Sequence, residues 1–479
     1  MFRKSFGWAF LVAVVSACGL TVRAQNIVVS PLHTFNTLNA GGGAATLITS
    51  LSMGKFDGTL YGTTYQDQTN GTIFTLNPDG TGYSVLHTFA AGEEVPPPTS
   101  YSSDVGDGTP VPRVVQGSDG HLYGTMPHGG ASGNGIVFKM NPNGSAFTVI
   151  HEFASSGEGA PAGLIQASDG FFYGVGASIF KIDSDGGNYT VLHTFNYSTD
   201  GSLTYSPLLQ ASDGALYGTA AFGGSGNMGT LFTISTNGTG FKVLHNFGDN
   251  DAVTPLGSVI QASDGALYGT TWDYETNGNL TGTGTAFKIS TDGNNYKILH
   301  KFIGSPSDGR GAVGGLVEGS DHVLYGTTYL GGNGTGSSTL GTLYRITQDG
   351  SGYAVLYAFT NGVELGVRPI VGLVKGPVQG TTGVFYGATF QGALSGNTGK
   401  AAVFALLVNP PALAITPLVN QTGSNQTTLF WPAWAAKYSL QATTNPASGN
   451  WTTVTDAVPV YGAQVTTTNA AMFYRLVTP

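Results

Sequence analysis

Apolar and β-branched residues in this chain fall in short runs that alternate with polar positions and are separated by glycine-rich turns. The clearest stretch reads "LGSVIQA" at 256–262, "ALYGTT" at 266–271, "GTAFKIS" at 284–290 and "YKILHKF" at 296–302. Such runs, bounded by Ser-Asp-Gly, a Gly-rich loop and Asp-Gly-Asn, predict four strands joined by tight turns. The same four-run unit recurs along the chain around a Tyr-Gly pair at Tyr61, Tyr123, Tyr173, Tyr217, Tyr268, Tyr325 and Tyr386. Four antiparallel strands in a unit of about 40–60 residues are the mark of a propeller blade.

The two ends of the array fit together. The last unit supplies "IVGLVKG", "VFYGATF" and "AVFALLV" but no fourth strand, whereas "IVVSPLHTF" at 27–35 is a fourth strand with no unit before it. Pairing the orphan strand with the last blade would remove two exposed sheet edges. The chain is therefore expected to be all-β, with a seven-bladed propeller over 26–409 closed by its N-terminal strand. Beyond the Pro410-Pro411 pair the landmarks stop, and 412–479 alternates differently, in "TLFWPA", "KYSLQATTN" and "MFYRLV" among others. This segment predicts a small immunoglobulin- or fibronectin-like β-sandwich.

The unit, with its L-Y-G-T-T and V-L-H-x-F landmarks, resembles the GloVer tandem repeat of exported proteins of Gloeobacter and Verrucomicrobia. The C-terminal segment is similar to the small immunoglobulin-like module of exported verrucomicrobial proteins. The resemblance implies a secreted or surface-anchored propeller-like protein, and it brings no catalytic residues with it.

Composition agrees with turns and strands, for 74 residues are glycine and only 9% are charged. Residues 1–24 depart from the rest. Arg3 and Lys4 precede an apolar run, and Val22-Arg23-Ala24 has the small-residue spacing of a signal-peptidase site. The only cysteine, Cys18, lies in "VSAC", which also fits a lipobox, so cleavage after Ala24 and lipid anchoring at Cys18 both remain open. No disulfide can form after residue 24. Without Arg3, Lys4 and Arg23 the 18 basic residues become fifteen, against 27 acidic ones, a formal charge of −12. That balance argues against nucleic acid, which needs clustered cations to displace counterions. Outside the leader no run reaches the ~18 apolar residues of a membrane span.

Six of the nine histidines occupy the V-L-H-x-F slot: His33, His87, His151, His193, His245 and His300. In a fourth, outermost strand these rings would be spread around the rim of a disc, too far apart for one metal, whose ligands lie within about 2.0–2.3 Å of it. Tyr357 replaces histidine in one copy, which suits a packed ring better than a ligand. The Ser-Asp-Gly aspartates (Asp119, Asp169, Asp213, Asp264) read as turn residues whose carboxylates bond local NH groups. "DSDGG" at 183–187 lacks the downstream Glu of a calcium loop and reads as a turn as well.

Function is expected where the repeat breaks symmetry. Connections from strand two to three, and from strand four to the next blade, vary in length and emerge on one face. Tyr65, Trp272, Tyr329 and Phe390 stand in equivalent slots there, with Tyr274 nearby. Aromatic faces around a polar mouth suit a sugar, whose C–H face stacks while its hydroxyls hydrogen-bond, and the same four residues also read as caps over the blade cores. Carboxylates dominate these loops (Glu93, Glu94, Asp104, Asp107, Asp249, Asp251, Asp273, Glu275, Asp308, Glu364), and they read mostly as solvated charges, with a calcium ion conceivable. The first functional reading is a monomeric exported binding scaffold for a polysaccharide or cell-surface protein. The second is a polysaccharide-active enzyme. Asp273 and Glu275 are its hydrolase candidates, and His128 is a lyase base with Arg310 or Arg368 neutralising a uronate. A quinone-dependent dehydrogenase is disfavoured, because only Trp272 of the five tryptophans lies in the propeller.

Overall fold

A computed structural model describes residues 27–35, 46–66, 69–89, 113–159, 162–248, 253–272, 283–332, 340–360, 365–376, 383–390 and 401–408, and six strands between 414 and 477. Among these residues every regular element is a strand and none is a helix. Two compact units emerge, one holding Val29–Val378 with Gly383–Leu407 and the other including Val408–Pro479.

The larger unit is a seven-bladed propeller. Blade 1 comprises Thr46–Met53, Leu60–Gln66, Thr69–Leu76 and Ser84–Thr88; blade 2 comprises Arg113–Gln116, Leu122–Met126, Ile136–Met140 and Thr148–Glu152. Blade 3 is Leu164–Gln166, Phe172–Val175, Ser178–Ile182 and Thr190–Thr194; blade 4 is Leu209–Gln210, Leu216–Ala220, Thr230–Ile234 and Lys242–Asn246. Blade 5 is Ile260–Gln261, Leu267–Thr270, Thr285–Ile289 and Lys297–Lys301; blade 6 is Leu316–Glu318, Val323–Thr328, Thr342–Thr347 and Ala354–Ala358. Blade 7 joins Val367–Pro369 and Val374–Lys375 to Gly383–Phe390, then Ala401–Val408, with Ile27–Phe35 beside the last. First strands of successive blades pack on one another, blade 1 on blade 2 and blade 2 on blade 3, and blade 1 also meets Val374–Lys375 of blade 7. First strands are therefore innermost and fourth strands form the rim.

Each blade repeats one packing device. The glycine of every Tyr-Gly pair faces the aromatic residue of the third strand, as Gly218 faces Phe232 in register. A β-carbon on Gly218 would stand 2.6 Å from Phe232 Cζ and 2.8 Å from Leu208 Cδ2. Only glycine leaves room for the ring. The neighbouring tyrosine points the other way, into the seam with the next blade, where Tyr217 packs with Leu231, Phe247, Leu267 and Phe287.

A register shift interrupts the pairing of strands three and four in six blades, for example between Leu231 and Phe232 in blade 4. The two flanking pairs, Leu231↔His245 and Phe232↔Val243, leave Leu244 as the extra residue. A bulge of this kind re-aims the side chains that follow it. Here it sets the histidine ring against the next blade.

The smaller unit has two three-stranded antiparallel sheets. One orders Ala414–Val419, Asn425–Phe430 and Ala463–Thr466; the other orders Thr452–Thr453, Ser439–Thr443 and Phe473–Val477.

Candidate functional site

The six repeated histidines are stacking partners. Each ring lies nearly parallel to the aromatic residue that precedes the fourth strand of the next blade: His33 on Tyr83, His87 on Phe147, His151 on Tyr189, His193 on Phe241, His245 on Tyr296 and His300 on Tyr353. Centroid separations run from 3.5 Å to 4.1 Å. The phenylalanine two residues on meets the same ring edge to face, as Phe247 meets Tyr296. Stacking is common to all six, whereas side-chain bonding is not. His193 and His300 bond Asp200 and Asp308 at 3.0 Å, but His151 Nε2 is buried without a partner. The exception fits the same logic. The seventh slot, in blade 6, holds Tyr357, which meets Phe359 edge to face at 5.1 Å, as each histidine meets the phenylalanine two residues on.

The Ser-Asp-Gly aspartates bond local NH groups, as expected, and also do more. Asp119 accepts from His121 N at 3.2 Å, while its other oxygen accepts from the Tyr123 hydroxyl at 2.7 Å and from Lys139 Nζ at 3.2 Å. Tyr173–Asp169, Tyr217–Asp213, Tyr268–Asp264 and Tyr325–Asp321 repeat the hydroxyl bond at 2.6–2.7 Å. A glutamine in the first strand then links consecutive blades. Gln166 Oε1 accepts from Ser118 N at 2.7 Å, and Gln210 and Gln261 accept from Ser168 N and Ser212 N at 2.8 Å. Blade 6 uses Glu318 in that slot, accepting from Ser263 N at 2.8 Å. The polar landmarks of the short-turn face are thus occupied in holding blades together.

These carboxylates make the fold acid-sensitive. Burial raises the pKa of Asp119, but the Tyr123 hydroxyl, the His121 NH and Lys139 outweigh it and bring the carboxyl down to about 2. Asp169 and Asp264 are lowered through the same partners in their own blades. A depressed folded-state pKa contributes stability that is complete above the unfolded value near about 3.9 and is lost as pH falls through the folded value. The thermal midpoint should therefore fall between about pH 4 and pH 2, with a shallower fall in Asp119→Asn. Equal acid slopes for the two proteins would refute the assignment.

On the face of the variable loops, the residues expected to bind a ligand are placed as follows. Trp272 and Tyr329 are each 3% exposed, with ring centroids 5.8 Å apart, in a cluster with Ala221 and Leu256. Gly311, at φ +70°, lies so close to the indole that a β-carbon there would collide with it. Of the two readings of this slot, the rings of Trp272 and Tyr329 fit the one that caps the blade ends. Tyr65 and Phe390 lie in strands Leu60–Gln66 and Gly383–Phe390, and Tyr274 falls outside the described residues.

Among the described residues the catalytic candidates lie at separate places in the ring. Asp273 and Glu275 fall outside the described residues. His128 belongs to blade 2 and is half-buried, and burial lowers its pKa despite a bond to the Gly133 backbone. Arg310 sits in the short strand Gly309–Arg310, paired with Leu330–Gly331. Arg368 is 9% exposed, donates from Nη1 to the Tyr329 hydroxyl at 3.2 Å and lies over that ring.

Asp308 is an exception among the loop carboxylates, which read mostly as solvated. It is 3% exposed and accepts from Ile303 N at 2.9 Å, from His300 and from the Tyr353 hydroxyl. Its pKa is raised by burial, but these donors outweigh that and lower it. The signal was available in the sequence, since Asp200 and Asp308 follow their histidines at seven and eight residues. Among the described residues no group of three His, Cys, Asp or Glu side chains is arranged to hold a metal, and no helix is long and apolar enough to cross a membrane.

Among solved structures, the chain is similar at 12% identity to a nidogen/laminin complex, with a TM-score of 0.38 over 68% of this chain and 95% of that one. It is also similar at 12% identity to a structure of two prolyl endopeptidases, with a TM-score of 0.40 over 71% of this chain and 46% of that one. A search of curated proteins finds no match. The Gloeobacter/Verrucomicrobia repeat model matches residues 20–178 and 176–404, so the repeat that builds and interlocks the blades places this chain in that family.

Proposed function

We propose that this protein is an exported, non-catalytic binding scaffold that presents the variable loops of its propeller to a polysaccharide or cell-surface partner. The observation that carries this reading is the contrast between the two faces. The short-turn face repeats the same bonds blade after blade, which leaves its polar groups engaged. The opposite face carries connections that differ in every blade, the pattern of a scaffold that displays binding loops. The burial of Trp272 and Tyr329 moves the contact surface from the blade ends to the loops themselves.

Three finer points belong to the same proposal. Residues 1–24 act as an export leader. Ile27–Phe35 closes the ring as the fourth strand of blade 7, a reading supported by its place beside Ala401–Val408 and by His33 stacking on Tyr83 of blade 1. The segment 412–479 is a small immunoglobulin-like sandwich, a reading supported by its two three-stranded sheets.

A glycan and envelope-fraction binding screen of the leaderless protein tests the proposal, with calcium and with chelator. Saturable binding is expected, lost when the 90–112 connection is replaced by a short Gly-Ser loop that leaves the blades folded. Absence of binding across the screen would refute the glycan version. Release of reducing ends or unsaturated sugar would refute the non-catalytic one.

A further inference from the structure

Arg113 breaks the repeat at its axis. It opens the first strand of blade 2, and in the next four blades the same place, ten residues before the Tyr-Gly tyrosine, holds Gly163, Pro207, Ser258 and Gly315. The repeat therefore does not need a charge there. The Arg113 side chain crosses the first strand of blade 3 toward blade 4. A β-carbon on Gly163 would lie 3.0 Å from Arg113 Cδ and 3.5 Å from Pro207 Cβ, and Nη2 reaches the Tyr205 carbonyl at 3.5 Å. The absence of a side chain at Gly163, which sits at φ +144°, opens this path.

The guanidinium is poorly satisfied where it lies. Among the described residues its Nε has no acceptor, and its bond to the Tyr205 carbonyl is long. Thr125 is the register partner of Arg113, so the two side chains rise from the same side of the sheet. Thr125 is fully buried, and its hydroxyl also lacks a partner. Burial pushes the Arg113 pKa down to about 10. The lysines beside Asp119, Asp169 and Asp264 have carboxylates to pair with. A guanidinium offers five N–H donors in a planar fork that matches a carboxylate or sulfate, and a desolvated cation without a counter-charge is costly. Arg113 as a whole residue is half-buried.

We propose that Arg113 and Thr125 form an oxyanion-binding site at the axial ends of blades 2 to 4, which takes a carboxylate or sulfate group. The inference does not depend on glycan binding by the loops. The test is thermal unfolding of the full chain titrated with sodium sulfate or sodium glucuronate, with sodium chloride holding ionic strength constant. A saturable rise in Tm is expected with at least one of them, and the better probe shows whether the site prefers sulfate or carboxylate. Arg113→Gln should fold and lose the saturable response, while Arg113→Lys, which keeps the charge but not the fork, should weaken it about tenfold. Sulfate also stabilises proteins through exclusion from their surface, but that effect is linear and will persist in the variant. Thr125→Val provides a second variant, expected to weaken binding severalfold even if Arg113→Gln does not fold. No saturable response in the wild type would overturn the proposal. A response unchanged in Arg113→Gln, or in Thr125→Val where the glutamine variant fails to fold, would also overturn it.

Discussion

Replacing Phe247 by alanine is expected to destabilise the propeller by about 3–5 kcal/mol, the usual cost of deleting a fully buried ring. Phe247 ends the V-L-H-x-F strand of blade 4 and is 0% exposed. It meets Phe287 and Tyr296 of blade 5 edge to face, at centroid distances of 5.4 Å and 6.4 Å. Its removal opens a cavity in the seam between two blades. Neither blade can collapse into that space without losing the register of its own sheet. Thermal or denaturant unfolding of the variant checks this, and a loss below about 1 kcal/mol would mean that the seam repacks freely.

Gly218→Val is expected to cost at least the 1–3 kcal/mol, roughly, of an overpacked core, with expression falling accordingly. The Phe232 ring and Leu208 already occupy the space a side chain would need, at 2.6 Å and 2.8 Å from the β-carbon position. Phe232 is 0% exposed and cannot swing out into solvent. A smaller partner should relieve the clash, so the double variant Gly218→Val with Phe232→Ala should lose less than the sum of the two single changes. Additive losses would show that the glycine is needed for another reason.

The repeat made the architecture legible, because strand length, turn chemistry and landmark spacing all recur. Histidine at the rim could be read as structural from its position and from the Tyr357 substitution alone. What could not be read was the identity of each partner. His245 stacks on Tyr296, and Gln261 reaches back to Ser212, each about 50 residues away in sequence, and a period shows which residue recurs without showing which neighbour it meets. The bulge at Leu244 was hidden for a similar reason, since V-L-H reads as ordinary strand alternation until it is paired with Leu231 and Phe232. The candidate site was less legible. Trp272 and Tyr329 could be read from sequence either as sugar-stacking faces or as caps over the blade cores, and the hydrophobic ends of the blades supply the cluster that buries them. The role of Arg113 was not legible, because one arginine among variable loop residues carries no pattern. Its meaning comes from Gly163 and Pro207 on the two blades it passes.

The most direct test of the interlocking role of the histidines is a double-mutant cycle on His245 and Tyr296, with each changed to alanine singly and together and stability measured by unfolding. The rings lie parallel at 3.8 Å across the seam of blades 4 and 5, so a coupling of about 0.5–1.5 kcal/mol is expected, with no change in it when metal is added or chelated. A coupling indistinguishable from zero, or one that appears only with metal bound, would contradict the structural role assigned to all six histidines.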